Sequence, residues 1–114
     1  MPKILILYAA INGFLAVTLG AFAAHGLETI IAADLLETFV TAVDYHMYHS
    51  LALLGTAVLG LQFPQEKLLR VAGILFLLGI LFFSGSLYLL ALSGARWLGA
   101  ITPIGGIFFL AAWA

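Results

Sequence analysis

Residues 41–60 read TAVDYHMYHSLALLGTAVLG, an apolar helical run whose opening third carries an aspartate, two tyrosines and two histidines. On a helical wheel at about 100° per residue, Tyr45, His49, Ala52, Thr56 and Gly60 fall on one face, and Met47, Leu51, Leu54, Val58 and Leu61 on the opposite one. The first face suits the interior of a helical bundle and the second suits lipid. His46 lies about 60° from His49 on that wheel, so both rings can serve one site. Asp44 belongs to the water end.

The composition agrees with a membrane environment. Hydrophobic residues make up 65% of the 114 and charged residues 8%, with a mean hydropathy of +1.23. A soluble domain this small cannot hide so much apolar surface, so the chain reads as an all-α integral membrane protein. Its net charge of −1 and lack of a basic run remove nucleic acid as a partner. The absence of cysteine removes disulfides, thiolate metal sites, Fe–S clusters and cysteine nucleophiles. Lys3 and Ala21-Phe22-Ala23 give the N-terminus some features of a signal peptide, yet its apolar run of about 20 residues is long enough to span a bilayer.

Four transmembrane helices are expected, over about 4–24, 41–61, 68–92 and 97–114, forming one domain. In the first, Ala9, Asn12, Gly13, Ala16, Gly20 and Ala23 share a stripe of small residues that permits close helix approach. Asn12 should hydrogen-bond across to a neighbouring helix, because an unpaired amide in hydrocarbon is costly. Gly60, Gly79, Gly99 and Gly106 are the packing positions expected in the later spans. After Gly26, residues 27–40 place Glu28, Asp34 and Glu37 among apolar residues at helical spacing, which predicts a short amphipathic helix at the membrane surface. The third span shows two small or polar faces, one with Gly73, Ser84, Tyr88 and Ala91 and one with Ala72, Gly79, Ser86 and Ser93. Pro103 is expected to bend the last span.

Short connections predict an antiparallel bundle. Lys3, Lys67 and Arg70 on one side, against Arg96 on the other, place both termini in the cytoplasm of a bacterial inner membrane. Trp97 and Trp113 are then expected at opposite interfaces. In that topology His25, Tyr45, His46, Tyr48, His49, Ser84, Ser86, Tyr88 and Thr102 all fall in the outer half, as a polar pocket. His46 and His49 at i, i+3 have workable spacing for metal ligands, with His25 or Asp44 a third, but they do not define a complete zinc or haem set. Serine hydrolysis lacks a nucleophile elbow and an oxyanion loop. Histidines inside a membrane also suit proton-linked transport, although no chain of charged residues crosses the whole bilayer.

The segments Gly20–Leu27 (GAFAAHGL), Tyr48–Leu54 (YHSLALL), Phe83–Tyr88 (FSGSLY) and Thr102–Gly106 (TPIGG) together resemble the YgdD-like family of small membrane proteins, a domain-of-unknown-function family. A eukaryotic branch is similar around His49–Leu54. The resemblance implies a four-helix inner-membrane protein and no particular reaction. It implies shared positions at His25, Gly26, Tyr48, His49, Ser84, Gly85, Ser86, Tyr88, Thr102, Pro103, Gly105 and Gly106. It also implies glutamine at the place of His46, which would make a metal site on His46 and His49 peculiar to this chain.

The expected function is that of a non-enzymatic accessory or assembly component without a cofactor. Its partners would be the lipid bilayer and a homo-oligomer or larger membrane complex. The alternatives are a small-ligand or proton-linked transport component and a metal- or haem-binding redox subunit.

Overall fold

The computed structural model describes residues 2–114, apart from the side chains of Pro2 and Glu28. Among them every regular element is helical. Helix α1 covers Pro2–His25 and a 3-10 turn covers Leu27–Thr29; α2 covers Ala33–Gln62, α3 Lys67–Gly79 and α4 Gly85–Ser93. A second 3-10 segment, Arg96–Ala100, leads into α5, Thr102–Trp113. A π-helical turn, Ile80–Ser84, joins α3 to α4 in one continuous rod. Three stretches are long and apolar enough to cross a membrane: Lys3–His25, Lys67–Ser93 and Arg96–Trp113. The histidines and tyrosines of α2 lower its hydropathy, and it is not one of the three.

Residues 27–40 do not form the separate surface helix that their amphipathic spacing predicts. Leu27–Thr29 is the 3-10 turn, and residues 33–40 are the first two turns of α2. The helix runs on because nothing breaks it: Thr38 and Thr41 turn their hydroxyls back onto the carbonyls of Asp34 and Glu37 at 3.1 and 3.0 Å. Phe39 is fully enclosed, in a cluster with Ala23, Leu27 and Ala91, so this part of α2 is core. The other cluster joins Leu5, Ala9, Leu53, Ala57, Phe76, Ile80, Phe109 and Ala112. Large apolar side chains such as Leu7, Phe14 and Val17 face outward.

The glycines sort by what a methyl group would meet. At Gly79 a Cβ would overlap the Phe109 ring, and at Gly73 it would come within 2.7 Å of Leu5 Cδ1. At Gly105 it would run into the backbone of Phe83 and lie 2.7 Å from Phe82 C and Phe83 Cα. Gly20 and Gly99 have looser neighbours, Val43 at 3.2 Å and Leu90 at 3.7 Å, and Gly60 is buried. Gly13 and Gly106 have nothing within 4 Å, so they are not the packing positions that the small-residue stripes suggest. Gly73 and Gly105 replace them.

Gly94, at φ 72°, ends α4 in the left-handed conformation glycine tolerates best. Pro103 does not bend a span. It sits in the first turn of α5, where the missing N–H is one the helix does not need. Arg96 Nη2 donates to Asp34 Oδ2 at 2.7 Å, connecting the segment before α5 to the first turn of α2. The Arg96 hydrogen bond holds the Asp34 carboxyl below its ordinary 3.8. A lowered folded-state pKa contributes stability above the unfolded value that is lost as pH falls through the folded one. Both side chains are exposed, which keeps the effect small. Asp34→Asn is therefore expected to lower the melting temperature slightly above about pH 5 and not at all in strong acid; a difference that persists in acid would mean the carboxylate charge is not its source.

Candidate functional site

Between the two apolar clusters lies a polar layer that joins three helices. Asn12 Nδ2 donates to the Tyr8 carbonyl at 2.8 Å, which turns Oδ1 toward α2. His46 Nε2 is 2.9 Å from that Oδ1, and His46 Nδ1 is 2.9 Å from the Tyr88 hydroxyl. An amide oxygen only accepts, so Nε2 carries the proton; Nδ1 of the neutral ring is then the acceptor and Tyr88 donates to it. The chain runs in one direction, from Tyr88 on α4 through His46 on α2 to Asn12 on α1. His46 is 4% exposed, and both of its nitrogens are taken.

Two further ties cross between helices. Ser84, in the π turn, donates to the Ala42 carbonyl of α2 at 2.9 Å. Ser86 donates to Phe83 O at 2.9 Å and lies 2.6 Å from Thr102 Oγ1. Because the single Ser86 proton goes to a carbonyl, Thr102 is the donor of the second bond, which ties α5 to α4.

His49 belongs to neither set. Its Nδ1 lies 2.7 Å from the Tyr45 carbonyl of its own helix, and its ring stacks on Phe109 with centroids 3.5 Å apart. Phe76 and Trp113 stand at 5.9 and 6.3 Å. The single polar pocket expected of Tyr45, His46, Tyr48, His49, Ser84, Ser86, Tyr88 and Thr102 therefore separates into an α1–α2–α4 chain centred on His46, the Ser84 and Ser86 ties, and an aromatic box around His49. Tyr45 is partly outward and Tyr48 is 57% exposed, so Tyr48 is outside the polar pocket in which the sequence places it. His25 is exposed at the end of α1.

Among the described residues no three His, Asp or Glu side chains gather where a metal ion could be held. The pair His46 and His49 fails for a geometric reason: His46 spends both nitrogens on Asn12 and Tyr88, and His49 turns one back onto its own helix. Trp113 is also displaced from its expected place. Beside Phe76, at a centroid distance of 5.3 Å, it stands level with the interior of α3 and not at its end. Sequence reasoning missed Phe76, Phe109 and Trp113 as neighbours of His49, since nothing in the apolar pattern of α5 singles them out.

Helices this apolar, joined by sparse polar ties and glycine contacts, define a small helical membrane protein. Residues 19–106 match the family described as protein of unknown function, DUF423. The UPF0382 membrane protein YwdK of Bacillus subtilis is 47% identical over 111 residues, covering 97% of this chain and 90% of its own length. The UPF0382 inner membrane protein YgdD of Escherichia coli is 41% identical over 112 residues, covering 98% and 85%. A UPF0382 membrane protein of Haemophilus influenzae is 45% identical over 104 residues, covering 91% and 82%. The chain belongs to this family of membrane proteins. No solved structure matches it.

Proposed function

We propose that this protein is a non-enzymatic accessory component of a membrane assembly. In this reading α2 crosses the membrane with the other three spans as an antiparallel bundle, both termini face the cytoplasm, and the membrane is the bacterial inner membrane, as the name of the Escherichia coli relative has it. Lys3, Lys67 and Arg70 near one end support that orientation. No cofactor is held and no reaction is catalysed.

The observation that supports this reading best is how the buried polar groups are used. Among the described residues no enclosed polar side-chain atom lacks a hydrogen-bond partner, and His46, Ser84, Ser86 and Thr102 all join one element to another. Such groups fix a rigid arrangement. The Tyr88–His46–Asn12 chain ends on an amide, which neither takes up nor gives off a proton near neutral pH and so does not pass one on. The outward apolar face of α1, with Leu7, Phe14 and Val17, is where a neighbouring protein would sit.

The test is the state of the chain at natural abundance. Membranes solubilised in mild detergent should yield an assembly well above the 12.2 kDa of one chain, and a photoreactive residue at position 14 should cross-link to the same polypeptide in fixed ratio. A monomer labelled by lipid alone would sink the reading.

A further inference from the structure

We infer that the cavity beside His49 is a binding site for a phenol- or hydroquinone-headed amphiphile, whose hydroxyl donates to His49 Nε2. The cavity holds about 420 Å³ and is lined by Tyr45, His49, Phe83, Gly106, Phe109 and Trp113, among others. That size takes an aromatic ring and part of a chain.

The histidine sets the chemistry. His49 is 6% exposed, and its Nδ1 faces a carbonyl at 2.7 Å. A carbonyl cannot donate, so the proton is on Nδ1, and Nε2 of the neutral ring is a bare acceptor. Among the described residues no group bonds to it. Since no enclosed polar side-chain atom lacks a partner, Nε2 is open to a small molecule, and the cavity that His49 lines is its opening. A ligand that only accepts hydrogen bonds gains nothing from Nε2, whereas a hydroxyl satisfies it.

The walls set the shape. Tyr45 stacks parallel to His49 at 6.0 Å, and Phe83 is 4.9 Å from Tyr45 and 5.5 Å from Phe109. These rings offer flat apolar faces to a planar head. Gly106, with nothing within 4 Å of where a Cβ would stand, leaves the space that the head fills. The cavity beside Gly20 and Asp44 offers no enclosed polar group, and nothing comparable follows there. The inference is independent of the accessory role and survives its failure.

The test uses the full chain in mild detergent and native mass spectrometry with three probes: decyl-1,4-hydroquinone, its dimethyl ether and the corresponding quinone. Wild type should bind one hydroquinone per chain, about tenfold more tightly than the ether or the quinone, the effect of one hydrogen bond. His49→Phe keeps a ring against Phe109 and removes the acceptor, so hydroquinone should fall to the affinity of the ether while the ether is unchanged. Gly106→Leu places a side chain in the cavity from a position where a Cβ meets nothing within 4 Å, and should weaken every probe at least about tenfold. Should His49→Phe fail to fold, the wild-type preference and the loss of binding in Gly106→Leu carry the test. Equal binding of hydroquinone and ether to wild type, absence of hydroquinone binding, or full affinity in Gly106→Leu would each overturn the inference.

Discussion

Gly105→Val is expected to prevent α5 from docking. A Cβ at Gly105 would collide with the backbone of Phe83 and lie 2.7 Å from Phe82 C. A side chain in the way can rotate aside, at a cost of about 1–3 kcal/mol for ordinary overpacking. Backbone in a hydrogen-bonded turn has no such freedom, so the expected loss exceeds about 3 kcal/mol. Separation of α5 would also break the Thr102–Ser86 bond and uncover His49 from Phe109. The neighbouring substitution is the control: a Cβ at Gly106 meets nothing within 4 Å and the rest of a leucine side chain has the adjoining cavity to enter, so Gly106→Leu should melt within a few degrees of wild type. Thermal unfolding of both variants in the same detergent decides it, and a Gly105→Val protein as stable as Gly106→Leu would refute the close contact.

His46→Leu should be the next most damaging change. It leaves Asn12 Oδ1 and the Tyr88 hydroxyl without partners in an apolar layer, and each stranded group costs about 1–2 kcal/mol. The expected loss is about 2–4 kcal/mol. Tyr88→Phe strands only His46 Nδ1 and should lose about half as much. Adding Asn12→Leu to His46→Leu removes one stranded group, so the pair should be less destabilised than the sum of the two single changes. Strict additivity would show that the three residues do not act as one chain.

Much of this arrangement was legible in the sequence, and the illegible part has a physical cause. The membrane character follows from composition, and the need of Asn12 for a partner on another helix follows from its place among small apolar residues. What the wheel of α2 misjudged is which histidine occupies the centre. It put Tyr45 and His49 on the inner face, whereas the buried stripe runs Phe39, Ala42, His46, His49, Ser50, Leu53 and Ala57. Helix α2 packs against α1 on one side and α3 and α4 on the other, so its buried face is wider than a single stripe of five residues and takes in His46. The aromatic box around His49 depends on how far α5 descends, and no local pattern encodes that depth.

The two small faces of the third span illustrate a different obstacle. A uniform rotation of about 100° per residue separates Gly73, Ser84 and Ala91 from Gly79 and Ser86, yet all five are buried. Gly73 and Ser84 pack toward α1 and α2, and Gly79 and Ser86 toward α5, so both faces are used. What the wheel lacks is the wide turn at Ile80–Ser84, which takes up a residue that a regular helix would not. Counting at constant pitch cannot anticipate it.

That turn also makes the chain's length matter unevenly. Ile80–Ser84 works as a phase adjuster between two halves of a rod, so losing a single residue there would let the halves fuse into a regular helix. The residues beyond would keep their faces, whereas a residue gained or lost within Lys67–Gly79 would rotate everything beyond it by about 100°, carrying Tyr88 off His46 and Ser86 off Thr102 together. The exposed turn between α2 and α3, at Phe63–Glu66, has no such duty and can lengthen or shorten by a residue without turning any helix on its axis. Among natural variants of this protein, gaps are to be looked for at these two turns and not within Lys67–Gly79.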